Sequence, residues 1–170
     1  GYDELYYIAQ TSDGGNILGG NSWSSISGDK TEDCLGFWDF WIIKTDISGV
    51  IQWENTIGGS SDDKLYSISQ TTDGGYVLGG WSESNISGDK TENSNSLADY
   101  WMVKTDSLGV IQWQNTIGGI VGTDYLTSIT QTTDGGYFLG GYSYSNISGD
   151  KTENSNGGYD YWIVKTDSLG

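Results

Sequence analysis

The chain has 170 residues, 7 Lys against 23 Asp and Glu for a formal net charge of −16, and no His, Arg or Pro. Without His there is no imidazole base, no Ser-His-Asp or Cys-His relay and no His-ligated metal, and the one cysteine, Cys34, makes neither an internal disulfide nor a thiolate zinc site. An anionic chain without Arg is a poor partner for phosphate backbones, so no nucleic acid is expected, and no apolar run approaches the roughly 18 residues that membrane insertion requires.

Internal repetition is the main signal. Gln10 to Gly15 returns as Gln70 to Gly75 and as Gln131 to Gly136, at offsets of 60 and 61 residues. The last two copies differ at 7 of 40 aligned positions and the first two at 17 of 40, which reads as tandem duplication. The repeat divides the chain into units 1–59, 60–119 and 120–170.

In chain order, the second unit shows the pattern most clearly. Leu65 to Gln70 reads as a first strand, closed by Thr72-Asp73-Gly74-Gly75, because Asp-Gly between two apolar runs marks a hairpin. Tyr76 to Trp81 is the second strand, and its pair Gly79-Gly80 predicts a bulge or a close backbone approach. A long polar loop follows, from Ser82 to Ala98. The third strand is Asp99 to Thr105 and the fourth Val110 to Ile117, with Ile111, Trp113 and Ile117 on one face. Nothing has helical period, so the fold class is all-β. Four strands in about 60 residues is the pattern of a β-propeller blade or a related array. A single unit cannot cover both its faces, so neighbouring repeats or copies of the chain itself are the expected partners. The third unit stops before its fourth strand, which predicts either a segment of a longer array or completion by other subunits.

The runs Gln70-Thr71-Thr72-Asp73-Gly74-Gly75-Tyr76, Asp160 to Gly170 and Ile111 to Gly119 resemble the repeats of secreted bacterial β-propeller proteins. They are similar to the delta-60 type carried by large surface proteins exported by the type IX route. The resemblance runs from Leu5 to Gly170. It implies a propeller-like fold, a location outside the cell or on its surface, and a structural or adhesive role without a defined activity.

Four sets of residues are candidates for function. The loop Ser87 to Asn95 places side-chain oxygens on alternate positions, Asp89, Thr91, Asn93 and Asn95, and the third unit repeats them as Asp150, Thr152, Asn154 and Asn156. The first unit has Asp29, Thr31 and Asp33. Alternating oxygens in a tight loop suit a hard cation such as Ca²⁺, although the glycine and closing bidentate Glu of an EF-hand are missing; a solvated loop bonding its own backbone is the competing reading. The second set comprises positions where the units differ by large rings: Trp23, Trp38, Trp81, Tyr142, Tyr144 and Tyr159. They would suit stacking on a polysaccharide or packing on another chain. In contrast, the Trp41, Trp101 and Trp162 register and the Trp53 and Trp113 register read as core. Asn85 and Asn146 begin N-glycosylation sequons, and Ser107 and Ser168 sit in Asp-Ser-Leu runs resembling the O-glycosylation motif of type IX-exporting bacteria. Finally, the lysines recur in step with acids and read as exposed charge compensation. Carboxylate pairs such as Asp62-Asp63 point to opposite strand faces and are poor acid–base partners. An enzyme is therefore not expected, a carbohydrate-active propeller being a lesser alternative to an adhesive module or a filament subunit joined by edge strands.

Overall fold

The computed structural model describes residues 1–170 and contains eleven strands and no helix. The first sheet is β1 (Asp3–Gln10), β2 (Asn16–Ser22), β3 (Asp39–Thr45) and β4 (Ile51–Ile57). The second is β5 (Asp63–Gln70), β6 (Tyr76–Ser82), β7 (Asp99–Thr105) and β8 (Ile111–Ile117). The third is β9 (Asp124–Gln131), β10 (Tyr137–Ser143) and β11 (Asp160–Thr166). Each sheet is an antiparallel meander in chain order. The hairpin at Thr71 to Gly75 forms as its Asp-Gly pair dictates. Gly74 takes φ 85°, which an L side chain avoids, and the Asp73 carboxylate accepts the Gly75 amide at 3.0 Å.

The first strand of the unit begins two residues earlier than its apolar pattern indicates, at Asp63, because Asp63 is buried and paired opposite Ser82. The glycine pair also resolves into two separate features. The irregularity lies on the partner strand, where Tyr66 is the extra residue between Leu65 and Ser67. Gly79 itself marks a close approach between sheets: a Cβ there would stand 2.7 Å from Ile129 Cγ2 and 2.9 Å from Leu126 Cδ2.

The sheets pack face to face in sequence. One core layer, between the first and second sheets, holds Ile17, Phe40, Ile42, Leu65, Ile68, Leu78, Trp101 and Val103. The next holds Val77, Tyr100, Met102, Leu126, Ile129, Leu139 and Trp162. The same contacts recur across both layers. Phe40 packs at a tilt against Trp101 at 4.9 Å, as Tyr100 does against Trp162 at 4.8 Å. Trp53 meets Tyr76 edge-on at 6.0 Å, as Trp113 meets Tyr137 at 5.5 Å. Trp101 and Trp162 are buried, but Trp41 is only half-buried, because it faces outward from the first sheet.

The lysines correct the expectation of exposed charges. Lys30, Lys90, Lys44 and Lys104 are each at most 3% exposed. Lys90 lies over the Trp101 ring at 5.1 Å and donates to Thr116 Oγ1; burial lowers its pKa to about 8. Lys104 does not pair with the acids next to it in sequence. It crosses to the hairpin, 2.9 Å from Asp73 Oδ2, and also donates to Thr105 O and Gln112 Oε1. Lys44 repeats this with Asp13 at 2.9 Å and Lys165 with Asp134 at 3.0 Å.

Candidate interaction surface

The second strand of each unit ends in Asn21-Ser22, Trp81-Ser82 or Tyr142-Ser143, and the next residue, Trp23, Glu83 or Tyr144, donates its amide to the residue just before the first strand of its own unit, Tyr2, Asp62 or Thr123. This geometry gathers the variable rings. Trp23 lies 6.4 Å from each of Tyr2, Phe37 and Trp38. Lys64 Nζ sits 4.7 Å from the centroid of Trp38 and 5.9 Å from that of Trp81, close enough for cation–π attraction. Trp81 then meets Tyr125 edge-on at 5.1 Å. Tyr125 contacts Tyr142 at 5.3 Å and Tyr159 at 6.1 Å, and Tyr144 closes on Tyr159 at 5.5 Å. Lys64 thus joins a ring cluster on the first unit to one that runs from Trp81 into the third, and together they form a ribbon crossing all three units.

The six rings singled out in the sequence all belong to this ribbon, though not equally. Trp23, Tyr142, Tyr144 and Tyr159 are exposed and Trp38 is half-buried. Trp81 corrects the expectation of exposure: it is buried beneath Tyr125 and supports the ribbon rather than offering a free face. Between the first two units, Trp23, Phe37, Trp38, Ser61, Asp62 and Glu83 line a cleft of about 370 Å³. Burial pushes the Glu83 carboxyl upward, with the Asp62 charge adding to this and Lys64 opposing it. Sequence reasoning missed Lys64, Tyr125 and the Asp62–Glu83 pair. Asp62 and Glu83 are 21 residues apart, and only the pairing of β5 with β6 joins them, through the Glu83 amide donating to Asp62 O at 2.8 Å.

The loop oxygens go to different partners. Asp89 accepts the Gly58 amide at 3.3 Å and returns its own amide to Gly58 O at 2.8 Å, clasping one unit to the next. Asp150 repeats the clasp on Gly118, with both bonds at 3.0 Å. Asp33, Asn93 and Asn154 each accept the amide seven residues earlier, from Ile26, Ile86 and Ile147. Thr91 donates its amide to Gln114 Oε1 at 3.2 Å, and Asn95 Nδ2 lies 3.5 Å from Gly118 O. Asn156 gives its amide to Asp160, whereas Asp29, Thr31 and Thr152 are exposed. No three acids or thiols are grouped to hold a metal ion. Cys34 stands where Ser94 and Ser155 stand, its sulfur 3.0 Å from Ser22 O.

A second set of acids lies buried where one unit meets the next. Asp63 accepts the Gly59 amide at 2.6 Å and the Ser84 hydroxyl at 2.9 Å. Burial nonetheless raises its pKa to about 6, and the Asp39 charge adds to the rise. Asp39 and Asp99 are raised for the same first reason. Asn85, Asn146, Ser107 and Ser168 are all exposed. No family model and no curated protein matches the chain.

Proposed function

We propose that the chain is a non-enzymatic adhesive module acting outside the cell or on its surface, and that the aromatic ribbon is its contact surface for a polysaccharide. The ribbon, two ring clusters joined through Lys64, is the observation that carries this reading. Exposed rings on the first unit (Trp23 and Phe37) and on the third (Tyr142, Tyr144 and Tyr159), in contacts of 5.3–6.4 Å, offer apolar platforms to sugar faces on either side of the buried Trp81, while Asp62, Glu83 and Ser61 in the adjoining cleft offer hydroxyl partners. The resemblance of the repeats to secreted propeller proteins supports the location and the propeller-like arrangement. Trp23→Ala and Trp38→Ala should each weaken binding to a polysaccharide found on a glycan array by about two- to twelvefold, in line with the ~0.5–1.5 kcal/mol of an aromatic contact. Ser107→Ala, remote from the ribbon in sequence and outside its contacts, should bind like the parent. A protein that retains no glycan, or ring variants that bind as the parent does, would overturn the reading.

A further inference from the structure

The two outer faces of the stack present complementary halves of the contact that joins its sheets. At the inner junctions, Leu and Ile of one first strand press on a glycine of the preceding sheet: Leu65 and Ile68 on Gly19, and Leu126 and Ile129 on Gly79. A Cβ built at Gly140, the same position in the third sheet, meets nothing within 4 Å. The equivalent Leu5 and Ile8 on the first sheet are 61% and 62% exposed, where Leu65 and Ile68 are buried. The rings follow suit. Tyr161 occupies the position of Phe40 and Tyr100, both buried, yet is 94% exposed. The tryptophan that such a ring covers, Trp41, instead helps line an open groove of about 150 Å³ with Leu5, Leu18 and Ile43.

We propose that the third sheet of one chain docks head to tail on the first sheet of a second copy. Leu5 and Ile8 of the second copy fill the space over Gly140, and Tyr161 enters the groove beside its Trp41. Two polar contacts follow by analogy. Tyr100 donates to Trp162 O at 2.9 Å, so Tyr161 is placed to donate to Trp41 O of the second copy. Ser67 accepts the Ile129 amide at 3.2 Å, so Ser128 is placed to accept that of Ile8. The second copy is favoured over an unrelated partner because one chain carries both halves, matched to the glycine and ring contacts it already makes twice and to the polar pair it makes at the second junction. Such a heterologous contact gives a closed ring or an open fibre according to whether its rotation closes. It uses sheet faces rather than unpaired strand edges, and it is independent of the aromatic ribbon.

Sedimentation of the purified chain over increasing concentration should show the mass rising above the 18.4 kDa of one copy. Gly140→Val blocks one face, and Leu5→Asp with Ile8→Asp blocks the other; all three positions face solvent in the single chain, so each variant should fold and remain monomeric. An equimolar mixture of the two variants, each keeping one intact face, should form a 1:1 dimer and nothing larger. A parent that stays monomeric at every concentration overturns the proposal. So does assembly that survives Gly140→Val, which would indicate edge pairing, and so does a mixture that fails to dimerise. Retention of glycan by the monomeric variants tests the aromatic ribbon separately.

Discussion

Lys104 is 3% exposed, and a buried ammonium is tolerated only when its donors are met. Asp73, Thr105 O and Gln112 meet them. Burial raises the Asp73 carboxyl, but donation from Thr71, Lys104 and the Gly75 amide outweighs this and holds it at about 2. Asp73→Asn removes the anion and leaves the cation in place, so it should cost about 1–3 kcal/mol in urea unfolding. A lowered carboxyl contributes stability in full above its ordinary pKa of about 4 and loses it as pH falls toward 2. The variant's deficit should therefore shrink over that range; a deficit unchanged at pH 2 would argue against the ion pair as its source. Gly79 and Gly140 provide a second comparison, since they share one position in the repeat and differ in what faces them. Gly79→Ala pushes a methyl group into Ile129 and Leu126 and should cost about 1–3 kcal/mol. Gly140→Ala, measured in dilute solution, should be neutral or slightly stabilising. Equal losses at both sites would mean that the sheets do not approach as closely as the structure shows.

At the scale of the strand, much was legible. The period-two pattern and the Asp-Gly turns located the four strands of the second unit to within two residues. The 60-residue offset did the rest by carrying that assignment to the other units. What was not legible depends on contacts between strands and between units. Asp63 reads as a polar residue outside the sheet, yet the Ser82–Ser84 turn and the Gly59 amide hold it inside. Lys30 and Lys90 read as loop charges, but the Ser27–Lys30 and Ser87–Lys90 turns fold them under Trp41 and Trp101. The candidate surface divided in the same way. Ring substitutions between units pointed to Trp23, Trp38, Tyr142, Tyr144 and Tyr159. Tyr125 and Lys64 escaped notice because nothing in a linear strand shows that Tyr125 packs on Trp81 from the next unit and Lys64 from the paired strand of the same sheet.

For the whole molecule, the same junction chemistry sets the response to pH. The chain carries −16, so acidification relieves general repulsion, but surface charge is only part of the effect. Asp63 titrates near 6 in the fold because it is buried, against about 4 in an unfolded chain. The folded state therefore holds this proton more tightly, and the stability gained is complete below pH 4, declines from 4 to 6 and is absent above 6. Asp39, Asp89 and Asp99 are raised by burial and act in the same direction. The lowered hairpin acid Asp73 works in the opposite sense, but only below about 4. The two windows meet at about pH 4, so stability should peak near there and fall on either side. The melting temperature at pH 5 should exceed that at pH 7.5 by a few degrees. Salt at about 0.5 M screens surface repulsion far more than buried pairs, so most of this difference should persist in salt. Asp63→Asn cannot take up the proton and should reduce the difference. A parent that melts higher at pH 7.5 than at pH 5, or a difference abolished by salt alone, would show that the junction acids do not govern the stability of the stack.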